Sequence, residues 1–505
     1  MKVSPARRAA FEILRRVEEE GAYSSALLAA TDDELNPKDR ALTHELVLGV
    51  LRNRLWLDRT IENFASREVE KLDLPVTLAL RLGVYQLRFL TRIPQSAAVN
   101  ESVNLAKVAR VNSAAPFINA VLRRVTREPN YDPASPATDE TEKLAIETSH
   151  PPWLLERWKL QFGFEETAAL ARANNEPAPL AFRFTARALR NSPKKIIDEL
   201  RASGVDLIES RIAPGAWRIN QRKSTGRDAG EPQAGMPALQ SGELHAGMPA
   251  LQSGELHARM RALQSGELYA RMPALQSQSG AAQAGMRALQ KFAAAGLIYF
   301  QDEASQLVAH LLGAGDRDYV LDVCGAPGSK STLIAALAPS ANIISGELYE
   351  HRARTIQEFA KHQSATNVHV IIHDATRELP FPPASFDGVL IDAPCSGTGT
   401  LRHNPEIRWR LNESDIAELA DKQKQILKNA AAVVRAGGRL VYSTCSIEKD
   451  ENEDVISDFL KNSRAFARVK LDNGGGLTTE DGAARSWPHR DDVEGFFVAA
   501  FRRVG

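Results

Sequence analysis

A chain of 505 residues exceeds what one ordinary core can organise and points to more than one domain. Its composition, 43% hydrophobic and 25% charged, is that of a water-soluble globular protein, and no run approaches the ~20 consecutive apolar residues of a membrane span. A formal net charge of 0 leaves a nucleic-acid partner open, because such binding depends on local patches, while three cysteines, Cys324, Cys395 and Cys445, are too few and too scattered for a disulfide framework or a zinc-binding CxxC pair.

The opening stretch, MKVSPARRAAFEILRRVEEE, interleaves charge with apolar Phe11, Leu14 and Val17. That pattern predicts an amphipathic helix rather than a secretory signal, and a cytoplasmic protein. Further apolar faces at helical spacing follow in HELVLGVLRNRLWLDRTIENF, LALRLGVYQLRFL, NESVNLAKVAR and FINAVLRRV, with Pro37 and Pro94 near helix starts. An all-α bundle over residues 1–140 is expected, closed by the loop REPNYDPASPATDE. Residues 141–230 mix helical patterns (HPPWLLERWKLQFG, PKKIIDELRASG) with the strand-like PLAFRFT, which predicts a small α/β domain.

Residues 231–290 carry a twelve-residue repeat, AGMPALQSGELH, with Met236, Met248, Met260 and Met272 in register. The period is shorter than the ~20–50 residues of solenoid units, and each copy has one short apolar cluster. A disordered insertion in a surface loop is expected rather than a partner-binding arm. His245 and His257 share the repeat register, so their spacing reports duplication and not a metal site.

From 291 to 505 short apolar runs, YVLDV, ANIIS, VHVII, FDGVLI, GRLVYS and GFFVAAF, alternate with helical stretches. This alternation predicts a Rossmann-like α/β domain with a mostly parallel sheet, whose ligands sit beyond the carboxyl ends of the strands. The first strand exit, LDVCGAPGSKS, lacks the glycines of a Walker loop and of G-x-G-x-x-G. Gly325 and Gly328 still allow a tight turn ahead of a helix starting near Lys330, whose amides would face a carboxylate, although a plain strand-to-helix turn would explain the same glycines. Glu347, after the second strand, stands where nucleotide-binding sheets put an acid for the ribose hydroxyls; Asp374, after the third, suits an adenine amino group. Either acid also suits a capping role. Asp392 and Cys395 follow the fourth strand and Cys445 the fifth, in Gly-, Pro-, Ser- and Thr-containing turns where thiolates can form. Strands lying side by side would bring these groups to one mouth.

The motifs DVCGAPGSKS, DAPCSGTG, TCS and HRDDVEGFFVAAF, led in by FQDEASQLVAHLL, resemble the family of S-adenosylmethionine-dependent RNA cytosine-5 methyltransferases. Within it the chain is similar to the bacterial Fmu/Sun type, which methylates 16S rRNA and has an N-terminal domain resembling the antitermination factor NusB. Here ARRAAFEILRRV, RIPQSAAVNESVNLAK and FINAVLRR carry that second likeness. The resemblance spans nearly everything except the repeats. It implies S-adenosylmethionine as cofactor, with Cys324, Gly325, Ala326, Pro327, Gly328, Ser329 and Lys330 around its methionine part, Glu347 on the ribose, Asp374 on the adenine side and Asp392 beside it. It implies Cys445 as nucleophile, Cys395 as the cysteine that releases product and Asp392 as the acid on the base. Lys330, a nearby helix N-terminus and the cofactor's positive sulfur are candidates to stabilise the thiolate, although a lysine whose stem covers the sheet edge looks similar. The family's loop usually has Ala at position 325, Gly at 329 and Thr at 331. The first and last differences look mild, whereas Ser329 would strain a position requiring positive φ.

The expected partner is 16S rRNA or a small-subunit assembly intermediate, with no membrane, no metal and a monomeric state. Arg7, Arg8, Arg15, Arg16, Arg123 and Arg124, and Arg402, His403, Arg408, Trp409 and Arg410 in RHNPEIRWR, are candidates to guide the RNA, although solvated helix faces and a structural tryptophan look similar. Rival readings are a non-catalytic RNA-binding assembly factor and a cytosine methyltransferase acting on tRNA or DNA.

Overall fold

A computed structural model describes residues 3–31, 34–220, 280–471 and 475–504, arranged as two compact units. Residues 231–279 of the repeat block lie outside the described residues, whereas residues 280–290, expected as part of a disordered insertion, fall in the helix Gly280–Ala294.

The first unit comprises the chain up to Pro177 together with His403–Arg410, and it is helical. The helix Pro5–Glu20 buries Ala6, Ala10, Phe11, Ile13, Leu14 and Val17, so the apolar stripe read from the sequence is its inward face. Pro37 occupies the first turn of Pro37–Arg52, where its missing N–H deprives nothing of a partner. Asn36 caps that turn by accepting from the Lys38 and Asp39 amides at 3.0 Å each. Gly49 is obligatory for packing, because a Cβ there would lie 1.9 Å from Cζ of the buried Tyr85. The helices Glu140–Thr148, Pro152–Phe162 and Phe164–Ala173, expected with the middle domain, cluster with this unit.

The segment RHNPEIRWR does not present its charges to solvent. Arg408 is fully buried in the first unit and donates to the carbonyls of Thr148 and Ser149 and to Asn175 Oδ1, at 3.2, 3.1 and 3.0 Å. Arg410 donates to the Gly21, Val17 and Ala22 carbonyls, and Trp409 Nε1 to that of Leu51. His403 is buried too, while Arg402, in the second unit, bonds Asp492. The RNA-guiding reading of Arg402, His403, Arg408, Trp409 and Arg410 is therefore corrected: guanidinium forks satisfy helix-end carbonyls, the partners a buried charge requires. Arg7 is likewise taken, by Gln86 and Glu101, and Arg15 and Arg16 pair with Glu12, Glu19 and Glu20. Arg8, Arg123 and Arg124 are exposed.

The second unit holds two sheets. Strands β1 (Leu180–Phe184), β2 (Leu207–Glu209), β3 (Ala216–Ile219) and β4 (Ile298–Phe300) form an antiparallel sheet in the order β2-β3-β1-β4. Its core includes Phe182 and Phe300 with Ile197, Leu200, Leu289 and Phe292 of the helices Pro193–Ala202 and Gly280–Ala294. The larger sheet contains β5 (Tyr319–Asp322), β6 (Asn342–Glu347), β7 (Val368–Ile372), β8 (Phe386–Asp392), β9 (Val434–Thr444), β10 (Phe466–Val469), β11 (Ala484–Arg485) and β12 (Phe497–Arg503). Its order is β10-β12-β9-β8-β5-β6-β7, with β11 beside β12. The strands from β9 to β7 are parallel, and β12, β10 and β11 pair antiparallel. Both faces are covered by apolar clusters, which is why its strands read as continuous apolar runs. Chain order reverses at β5, between β8 and β6, the kind of switch point at which such sheets bind ligands beyond the strand carboxyl ends.

Candidate active site

Beyond β5 the chain passes through Cys324–Gly328, with a cis bond at Ala326–Pro327, into the helix Ser329–Leu337. The left-handed conformation falls on Gly328, at φ 106°, and Ser329 begins the helix with no positive φ. The expected strain at Ser329 is thus absent, because the preceding glycine makes the turn. Gly325 is the sensitive position instead. A Cβ there would lie 2.0 Å from Ser345 Oγ and 3.1 Å from Ser331 Oγ, so alanine is not a mild exchange in this chain. Those hydroxyls are 2.8 Å apart, and Ser331 Oγ donates to the buried Asp322 at 2.5 Å. Gly325→Ala is expected to destabilise the fold by about 1–3 kcal/mol through overpacking. Adding Ser345→Gly should restore most of the melting temperature, and thermal denaturation of both variants checks this.

Burial raises the Asp322 carboxyl to about 6 against the hydrogen bond from Ser331. Arg183, on β1, anchors the same helix from the small sheet. Its Nη2 donates to the Ser329 carbonyl and to Thr332 Oγ1 at 2.9 Å each, its Nε donates to Gln301 at 2.7 Å, and the guanidinium lies 4.9 Å from the Tyr299 ring centre. Desolvation pulls this arginine down to about 10, which leaves it charged at neutral pH.

Glu347 ends β6 nearly buried, and its Oε1 accepts from the amides of Leu348 and Tyr349 at 2.9 and 3.0 Å. Asp374, after β7, caps its own turn: Oδ1 accepts from the Thr376 amide at 3.0 Å and hydroxyl at 2.6 Å, which holds its carboxyl below the usual range. The thiol of Cys324 is pushed well above its ordinary value by burial and then by Asp322, Glu347 and Asp392. Acids from β5, β6 and β8 therefore bear on one spot, and Cys324 stays protonated at neutral pH.

At the adjoining exits Asp392 accepts from Lys330 Nζ at 2.5 Å through one oxygen and from Ser443 Oγ at 2.8 Å through the other. The Lys330 and Asp392 side chains are only 5% and 10% exposed, so removing either partner would leave the other buried without its ion pair. Cys395 Sγ lies 3.3 Å from Cys445 Sγ, and both residues are half-buried. Glycines permit this approach. The Gly399 amide donates to the Cys445 carbonyl at 3.0 Å, and a Cβ on Gly399 would sit 2.0 Å from the Gly495 carbonyl oxygen. Asp322, Ser345, Ser443 and Arg183 are not singled out by the sequence, and Ser331 stands out in it only as a mild departure from the family's threonine. Only Asp322 carried a signal, a lone acid ending an apolar strand.

Residues 309–502 match the family described as 16S rRNA methyltransferase RsmB/F, residues 4–127 the NusB family, and residues 150–225 the RsmF/B-like ferredoxin-like domain. The probable ribosomal RNA small subunit methyltransferase B of Bacillus subtilis is 30% identical over the whole of both chains. The chain belongs to the RsmB/F methyltransferase family. A Synechocystis relative of the same description is 29% identical, with 99% of each chain covered. The crystal structure of PH0851 covers all of both chains at 25% identity and a TM-score of 0.73. The structure of NSun6 from Pyrococcus horikoshii with SFG shares the fold over 70% of this chain and 98% of its own, at 21% identity and a TM-score of 0.53. At the level of the RsmB/F family, the activity is S-adenosylmethionine-dependent cytosine-5 methylation of RNA. The observed groups suit that cofactor. Asp322 Oδ1 is buried without a hydrogen-bond partner among the described residues, and the three acids around Cys324 favour a ligand that carries positive charge.

Proposed function

We propose that the protein methylates carbon 5 of a cytosine in 16S rRNA, free or within a small-subunit assembly intermediate, through a covalent bond between Cys445 Sγ and carbon 6 of the base. The reading rests on the 3.3 Å approach of two sulfurs beside the buried Lys330–Asp392 pair. Carbon 5 of an intact cytosine is a weak nucleophile. Addition of the Cys445 thiolate to carbon 6 breaks the ring's aromaticity and gives carbon 5 enamine character. Asp392 binds the base at N3, and Lys330, hydrogen-bonded to it, shares the proton that relieves charge there as the thiolate adds. S-adenosylmethionine, held by the Cys324–Lys330 turn, Glu347 and Asp374, supplies the methyl group. Cys395, directly or through a water it orients, takes the proton from carbon 5, the electrons of that bond expel Cys445 as thiolate, and N3 returns its proton to the Asp392–Lys330 pair as the aromatic ring is restored.

The cytosine has to leave its stack to meet a thiol, which favours a loop or bulge in the RNA. The non-catalytic alternative drew on the helical domain and on Ser329, and the helical geometry of Ser329 leaves it only the first of these. Deleting the gene should erase one 5-methylcytosine from 16S rRNA, read by bisulfite sequencing, and the wild-type gene should restore it. An unchanged 16S map would refute the substrate, and a site lost from tRNA instead would replace it.

A further inference from the structure

We infer that Glu451 is a positioning residue that clamps the Cys395 turn to the Cys445 turn. It sits in EKDENED, which reads as a solvated acidic run, yet Glu451 is fully buried. Its Oε1 accepts from the Ser396 amide at 2.8 Å and from Gln423 Nε2 at 3.0 Å. Its Oε2 accepts from the hydroxyls of Ser396 and Ser446, each at 2.5 Å. Ser396 directly follows Cys395 and Ser446 directly follows Cys445, so one carboxylate holds the neighbour of each cysteine. The two hydroxyls lie 3.0 Å apart, each against the same carboxylate oxygen, which ties one turn to the other.

The clamp is fastened on its other sides as well. Gln423 Nε2 also donates to the Pro394 carbonyl at 2.8 Å, on the near side of Cys395. Tyr442, three residues before Cys445, donates its hydroxyl to the Glu451 carbonyl at 2.6 Å. Asn452 Nδ2 donates to the Ser446 carbonyl at 2.9 Å, and Asn452 Oδ1 accepts from Thr444 Oγ1 at 2.5 Å. Residues on both sides of Cys445 are thereby tied to one short segment, Glu451–Asn452. Burial pushes the Glu451 carboxyl up, and the donors from Ser396, Ser446 and Gln423 oppose that shift. A reaction that uses two cysteines in succession on one base needs their separation held to a fraction of an ångström. The inference depends on the proposed roles of Cys445 and Cys395 for its consequence in catalysis, but the clamp can be tested without them.

The test treats full-length wild-type, Glu451→Ala, Glu451→Gln, Ser396→Ala and Ser446→Ala proteins with diamide. The two thiols give up two electrons and two protons, forming the Cys395–Cys445 disulfide while the reagent becomes its hydrazine. Peptide mass spectrometry times the disulfide, and thermal denaturation confirms folding. Wild type is expected to cross-link readily, Glu451→Ala at least about tenfold more slowly, and the other three at intermediate rates, because each keeps part of the network. In single-turnover transfer to a 16S rRNA transcript, Glu451→Gln should lower the rate with S-adenosylmethionine affinity unchanged. A wild-type chain that fails to cross-link, or folded variants that cross-link within twofold of it, would overturn the clamp; should Glu451→Ala not fold, the serine variants decide in the same way. Cross-linking that depends on Glu451 in a wild-type protein that transfers no methyl group to RNA would uphold the clamp and sink the proposed reaction instead.

Discussion

Cys445→Ala is expected to reduce methyl transfer by roughly 10³-fold or more, while S-adenosylmethionine affinity stays within a few fold of wild type. The asymmetry follows from where the residue sits. Cys445 directly follows β9, whereas the groups suited to the cofactor, Glu347, Asp322 and the turn ending at Gly328, belong to β5 and β6 on the other side of β8. Removing the thiol would delete the atom proposed to bond to carbon 6 and leave those groups in place. The neighbouring sulfur of Cys395, only 3.3 Å away, makes the experiment discriminating. If the two assignments are reversed, Cys445→Ala will instead retain adduct chemistry. Single-turnover transfer of labelled methyl together with calorimetric titration of S-adenosylmethionine measures both quantities, and transfer near the wild-type rate would refute the nucleophile assignment.

Cys395→Ala should produce the opposite phenotype, a protein–RNA species that survives denaturing electrophoresis. With Cys445 intact, the carbon 6 bond forms and the methyl group is delivered. Release then lacks the group that removes the carbon 5 proton, and turnover should fall by about 10²-fold or more, the usual scale of a lost general base. The adduct should require both RNA and S-adenosylmethionine to accumulate, and it should vanish in the Cys395→Ala, Cys445→Ala double variant. Normal turnover without a trapped species would remove the release role from Cys395. Both outcomes depend on turns that glycine allows to touch, so Gly399 is as necessary to the design as either sulfur.

The catalytic half was legible because its chemistry lies at strand ends. A short continuous apolar run followed by a polar turn marks a strand exit without any knowledge of the fold. In this way Glu347, Asp374, Asp392, Cys395 and Cys445 could be named from their places at or just beyond the ends of β6, β7, β8 and β9. The amphipathic stripe of Phe11, Leu14 and Val17 was equally readable, since helical spacing is a local property. Charge proved the poorer guide. Arg408 and Glu451 look like solvated surface residues in sequence and are both fully buried, because carbonyls and hydroxyls from distant segments receive them.

Local spacing alone therefore determined the helical N-terminal region, the α/β class of the C-terminal half and the set of strand-end groups, since periodicity and turn chemistry act over a few residues. The tertiary structure alone decided which of those groups meet: the order β9-β8-β5-β6 places Lys330 against Asp392 and one cysteine against the other, and lets Gly325 fit only beside Ser345 as it stands. Such encounters join residues 20 to 62 positions apart. They are set by how strands pair and how closely backbones can approach, which no window along the chain contains.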